Sequence, residues 1–125
     1  MLYYTKSLIL LLLIIIASNG YVHATDMKIL SDISYGKDAD QTLDVYAPID
    51  VKNAPVIFMV HGGAWSGGDK ANKAELKNKV THWVTKGFIF ISIKYRTLPK
   101  VRPVEQTKDL ETALIFSQKS VREWG

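Results

Sequence analysis

Pro55-Val56-Ile57-Phe58-Met59-Val60 runs directly into His61-Gly62-Gly63-Ala64-Trp65. The first six residues are apolar, partly β-branched and of strand length, and the break into His-Gly-Gly marks a turn at the end of a buried strand. Apolar residues at every position, rather than at alternate ones, predict a central strand covered on both faces by helices. The glycines also matter chemically. Without a β-carbon they leave main-chain N–H groups bare.

Beyond this turn, Asn72-Lys73-Ala74-Glu75 has the form of a capping box, a side-chain acceptor followed three residues later by a carboxylate. Leu76, Val80, Trp83 and Val84 then recur on one helical face, and Gly87 supplies a stop, so a helix is predicted over about 73–86. On this reading Trp83 is a core residue. His82 lies off the apolar face and is expected to be exposed. Phe88-Ile89-Phe90-Ile91-Ser92-Ile93 is a second apolar strand directly after the helix. Strand, helix and strand with short loops make a βαβ unit that crosses over right-handed to a parallel neighbour. Pro103 can open a last helix, on which Leu110, Ala113, Leu114, Ser117, Val121 and Trp124 fall on one face. On the upstream side, residues 27–35 alternate in part and end at Gly36, while Thr42-Leu43-Asp44-Val45-Tyr46 alternates cleanly and stops at Pro48. Two such runs around a polar turn predict a hairpin.

His61 to Trp65, followed by Gly67, Gly68, Asp69 and Lys70, resembles the "HGGxW…GDK" signature of α/β-hydrolase esterases, a group that includes the hormone-sensitive-lipase-like and feruloyl-esterase-like carboxylesterases. Leu43-Asp44-Val45-Tyr46 with Pro48 resembles the second strand of that group. Tyr95-Arg96-Thr97-Leu98-Pro99 resembles its "Tyr-Arg-Leu-x-Pro" continuation, with Thr97 as an extra residue. The resemblance implies an α/β fold: the N-terminal portion of an α/β-hydrolase, a β-hairpin followed by β-α-β-α, with the sheet incomplete. It implies that the fourth strand lies between the second and third, which leaves the strand before His61 with an exposed edge. It also implies an oxyanion hole at the His-Gly-Gly loop. The donors would be the N–H groups of Gly63 and Ala64, with Gly62 permitting the turn and His61 and Trp65 holding its flanks. Ala64 stands where many relatives carry a third glycine. Asp109 matches an acidic residue on the corresponding helix, and pairing with Arg96 would make both structural.

The remainder of the catalytic machinery is not visible. A hydrolase of this type needs an elbow serine, a histidine base and an acid, and no Gly-x-Ser-x-Gly occurs in the chain. Ala64-Trp65-Ser66-Gly67-Gly68 fits a relaxed elbow. However, Ser66 stands six residues past Val60 and well before the next helix, whereas an elbow serine joins strand to helix directly. His23 falls in the leader, His61 in the glycine turn and His82 in mid-helix, so no general base is apparent. None of the triad is therefore assigned, and the chain is expected to be inactive alone. It reads as a truncated ester hydrolase, or alternatively as a non-catalytic secreted fragment or binding module.

The 125 residues contain no cysteine and suit one small domain. Lys6 precedes an apolar run from Leu8 to Ala17, and Val22-His23-Ala24 fits the small-x-small rule, so residues 1–24 are expected to be a signal peptide cleaved after Ala24, leaving 25–125 as the partial hydrolase domain. An uncleaved anchor is the competing reading, but the apolar run falls short of the ~20 residues a spanning helix needs. Secretion or export to the periplasm follows, with no stable membrane anchor after cleavage. The net charge of +4 is scattered, without the aromatic platform of a nucleic-acid surface, and no nucleic-acid partner is expected. No metal site or cofactor is expected either, since no ligand-spaced cluster of histidines and carboxylates is present. The implied partner is a small-molecule ester, once the missing C-terminal part completes the fold.

Overall fold

The computed structural model describes residues 26–125; the predicted leader and its cleavage site lie outside the described residues. The elements are β1 (Met27–Ser34), β2 (Thr42–Pro48), β3 (Val56–Val60), α1 (Lys73–Val84), β4 (Ile89–Ile93) and α2 (Pro103–Trp124). The strands form one open mixed sheet in the order β1-β2-β4-β3. β1 with β2 and β2 with β4 are antiparallel, whereas β3 and β4 are parallel and joined through α1.

The side-chain period of two sorts the core into two layers. On one face Leu43, Val45 and Ala47 of β2 and Ile89, Ile91 and Ile93 of β4 pack against Ala113 and Trp124 of α2. On the other face Phe90 packs against Leu76, Val80 and Val84 of α1, with Tyr46, Ile57 and Met59 alongside. α2 and α1 therefore sandwich the sheet. Each fully buried aliphatic side chain in these layers stabilises the fold by about 1.5–3 kcal/mol.

β4, not β3, is the central strand. All five β4 residues are buried, whereas Val56 and Val60 at the ends of β3 are 40% and 43% exposed. The composition of the two strands is alike. They differ because β4 has partners on both sides, and β3 among the described residues has one.

α1 starts and stops by local chemistry. The Asn72 side chain accepts from Ala74 N–H at 3.0 Å, capping the first turn. The return arm of the expected capping box is altered: Glu75 accepts from the Asn72 side-chain amide at 3.4 Å, because Asn72 N–H already donates to the Asp69 carbonyl. At the far end Gly87 N–H donates to Val84 O and Phe88 N–H to Trp83 O, the paired bonds of a Schellman stop, with Gly87 at φ +86°. Phe88 and Trp83 meet edge to face at 5.1 Å between centroids, supplying the apolar contact of that motif. Trp83 is half-buried against the α1 layer rather than fully enclosed, and His82 is exposed. Regular helix ends at Val84, two residues before the predicted end.

Along α2 the buried positions are Gln106, Asp109, Ala113, Ser117 and Trp124. Leu114, expected on the inner face, is instead 43% exposed. The first turns of α2 face a loop and an arginine rather than apolar sheet, so polar Gln106 and Asp109 take the inward positions there.

β1 carries a β-bulge. Leu30 pairs with Val45 and Ile33 with Leu43, so Ser31 and Asp32 together stand opposite Asp44. Asp32 takes φ +58°, and its N–H donates to the Asp44 carboxylate at 2.9 Å.

Candidate functional site

β3 and β4 run in parallel and end together, with Val60 beside Ile93. The segments leaving them therefore emerge at the same carboxyl-terminal edge of the sheet, where open α/β folds place their ligand crevices. His61 follows β3 and Tyr95 follows β4. Their rings stack at 4.4 Å with planes 12° apart, and the Tyr95 hydroxyl donates to the His61 carbonyl at 3.1 Å. Burial pushes the Tyr95 phenol above its ordinary pKa, so it remains a donor. His61 is 3% exposed, and its Nδ1 lies 2.8 Å from the Gly62 carbonyl. A protonated Nδ1 donating to that carbonyl leaves Nε2 as an acceptor, and Nε2 is buried without a protein partner. The His61 ring is thus fixed between the Tyr95 ring and the Gly62 carbonyl.

The loop itself is tightly wound. Gly63 has φ +136°, Ala64 φ +50° and Trp65 φ +66°. Such values disfavour side chains, and at Gly63 a β-carbon would overlap the Gly67 carbonyl. The Gly63 carbonyl accepts from Ser66 N–H at 3.0 Å and Gly67 N–H at 3.1 Å, closing the turn. The Trp65 carbonyl accepts from Leu98 N–H and from the Gln106 side chain, each at 2.9 Å. The Gly63 carbonyl is thus engaged within the turn and the Trp65 carbonyl by the segment after β4 and by α2. Among the described residues no backbone or side-chain acceptor engages the N–H of Gly63 or Ala64. Around them Val60, His61, Gly62, Trp65, Tyr95 and Leu110 border a concavity of about 250 Å³. Trp65 is 46% exposed at its rim.

Ser66 is placed unlike a nucleophile. Its hydroxyl donates to the Gly63 carbonyl at 3.3 Å and, among the described residues, bonds to no imidazole. The elbow fails because the chain after β3 turns back on itself before any helix starts.

Arg96 and Asp109 sit behind the loop. Arg96 donates to the Asp109 carboxylate from Nε at 2.9 Å, Nη2 at 2.6 Å and its backbone N–H at 3.1 Å, and Gln41 adds a bond at 2.8 Å. Burial alone would raise the Asp109 pKa. The bonds from Arg96 and Gln41 outweigh it and hold the carboxyl below the usual range.

Sequence reasoning assigned no role to Lys70, Gln106 or Tyr95. Lys70 is buried with Nζ at 2.6 Å from Asp44 and 2.7 Å from Asp32, and its carbonyl accepts from the Ser92 hydroxyl at 2.8 Å. Burial opposes its charge, but bonds from the two carboxylates raise its pKa above the ordinary lysine value. Outside it, Lys94 bridges Asp40 and Asp69, and Lys100 bridges Asp38 and Asp40. Among the described residues no three His, Asp or Glu side chains gather as a metal-binding set, and no helix is long and apolar enough to cross a membrane.

Comparison with known proteins agrees with this layout. Residues 43–125 match the family model described as BD-FAE. Esterase LipC of Mycobacterium tuberculosis is 33% identical over 95 residues, covering 74% of this chain and 23% of LipC. A probable isoprenylcysteine alpha-carbonyl methylesterase of Oryza sativa subsp. japonica is 31% identical over 107 residues, covering 85% of this chain and 25% of that protein. The chain thus spans about a quarter of the length of these relatives. The crystal structure of esterase B from Lactobacillus rhamnosis superposes with a TM-score of 0.68 at 24% identity, over 97% of this chain and 39% of that one. The open sheet in the order β1-β2-β4-β3, with its glycine turn after β3, belongs to an N-terminal region of the α/β-hydrolase fold, and the chain is a member of the BD-FAE family of esterases.

Proposed function

We propose that this chain is the oxyanion-binding part of a carboxylic ester hydrolase acting on small-molecule esters. The triad would come from a segment following the counterpart of α2. Attack on an ester carbonyl moves negative charge onto its oxygen, and prepositioned N–H donors stabilise that charge without reorganising. In this reading the donors are Gly63 and Ala64, and His61, Gly62 and Trp65 keep them aimed. The observation that carries the proposal is that the N–H groups of Gly63 and Ala64, like those of Gly62 and Trp65 beside them, engage no acceptor among the described residues, on a turn bordering a concavity at the carboxyl end of two parallel strands. The relatives' names add support, since LipC is called an esterase and the rice protein a methylesterase.

A chimera tests it. Residues 26–125 replace the matching region of LipC, and turnover of a short-chain aryl ester is measured. Gly63→Ala, whose β-carbon displaces the turn, should lower kcat about 10²–10³-fold with little change in KM, the effect of losing one oxyanion donor. Ser66→Ala should leave turnover intact. A folded, active chimera indifferent to Gly63→Ala would refute the assignment. The leader motif places the activity outside the cytoplasm in this proposal, and N-terminal sequencing of exported protein should begin at Thr25.

A further inference from the structure

We propose that Lys70 is a positioning residue that sets the geometry of the glycine turn from its far end, acting as a latch between that turn and the sheet. The inference rests on the ester-hydrolase reading for its purpose, but not for its test.

Asp44 and Ser92 are register partners across β2 and β4, on the same face of the sheet. Each takes hold of a different part of Lys70. Asp44 accepts from Nζ at 2.6 Å, and the Ser92 hydroxyl donates to the Lys70 carbonyl at 2.8 Å. The bulge in β1 brings a third hold, turning Asp32 so that its carboxylate reaches Nζ at 2.7 Å. Side chain and backbone of one residue are thereby pinned to three strands. Two residues earlier, Gly68 lies against His61 so closely that a β-carbon there would overlap the ring and the Gly62 carbonyl. Gly67 in turn donates to the Gly63 carbonyl. A shift at Lys70 is therefore passed through Gly68 and Gly67 to Gly63, whose N–H is free. A buried lysine and carboxylate contribute little net stability compared with an apolar pair of similar size, so orientation is what this pair adds.

The test is hydrogen exchange by NMR on the full chain. In Lys70→Met, made together with Asp44→Asn so that no buried charge is left unpaired, the Ser66 and Gly67 amides, which close the turn, should exchange about tenfold faster relative to wild type than any change at Val45 and Ile91 in the sheet. The Gly63 and Ala64 amide resonances should shift or broaden with them. A uniform acceleration of all four amides would mean that Lys70 only adds stability, and no acceleration would mean that it does not hold the turn; either result overturns the proposal. If this double variant does not fold, Ser92→Ala removes the backbone hold alone and is judged by the same comparison. Neither measurement uses turnover, so the latch and the esterase reading can fail separately.

Discussion

Replacing Asp109 should be the most damaging single change behind the site, and the structure sets the size of the effect. Asp109 is 1% exposed, and its carboxylate accepts four hydrogen bonds, three from Arg96 and one from Gln41. Asp109→Ala strands these donors. Breaking a buried pair from one side costs about 3–5 kcal/mol, and because the Arg96 side chain is 28% exposed and recovers some hydration, the lower end applies. With a urea m-value of about 1–3 kcal/mol/M, a loss of about 3 kcal/mol moves the midpoint down by about 1–3 M. Asp109→Asn retains the shape and one acceptor, so it should fall between wild type and Asp109→Ala. The pH dependence follows from the depressed carboxyl pKa. A group whose folded pKa lies below its unfolded value stabilises fully above the unfolded value, about 3.9, and loses that contribution as pH falls through the folded one. Asp38 and Asp40 are depressed as well, first by hydrogen bonds from Lys100, so the wild-type curve alone mixes several groups. The difference between wild type and Asp109→Asn isolates one. It should be flat from pH 5 to 8 and vanish in stronger acid, where the protonated aspartic acid resembles asparagine. A loss under about 1 kcal/mol for Asp109→Ala at pH 7, or a difference that persists in acid, would refute this account.

Ala64→Gly relieves a side chain held at φ +50° while loosening the unfolded chain, so urea titration should show a net gain of no more than about 1 kcal/mol. Gly87→Ala meets no neighbouring atom, so its cost is conformational alone, about 1–2 kcal/mol from the positive φ, read as a lowered thermal midpoint. Leu114→Lys, on an exposed position, should change stability by less than about 0.5 kcal/mol, whereas Ala113→Leu one residue earlier should cost about 1–3 kcal/mol by overfilling a fully buried site.

The contrast between Ala113 and Leu114 marks where local pattern stops being informative. Strands, α1 and the βαβ order are written in short-range signals: apolar runs, the Asn72 cap and the Gly87 stop. Burial of a given position is not local. β3 and β4 are equally apolar, yet only β4 gains a neighbour on each side, and Leu114 satisfies the helical period while facing outward. The residues that shape the turn were hidden for the same reason. Gln106 reaches Trp65 across 41 positions, Tyr95 reaches His61 across 34 and Lys70 reaches Asp44 across 26. The last of these was masked by the pattern itself. Asp44 holds the polar position of a cleanly alternating strand, which marks it as solvent-facing, yet its face is covered and the buried carboxylate must find a cation. Partial alternation around Ser31 and Asp32 marks the bulge that aims Asp32.

What gathers these distant residues is the parallel pairing of β3 with β4. Parallel strands joined by one right-handed crossover end at the same edge, so whatever follows one lies beside whatever follows the other. His61 and Tyr95 stack because Val60 and Ile93 are register partners. Gln106 meets Trp65 because α2 begins ten residues after β4 and starts from that edge. Even the antiparallel β2 contributes, since its register with β4 sets Asp44 opposite Ser92, where one lysine can be held by both. A one-residue slip in that register would turn Asp44 to the α2 face and deprive Lys70 of its buried carboxylate partner, leaving only the exposed Asp32. The hairpin far from the glycine turn is therefore part of what keeps the turn in shape.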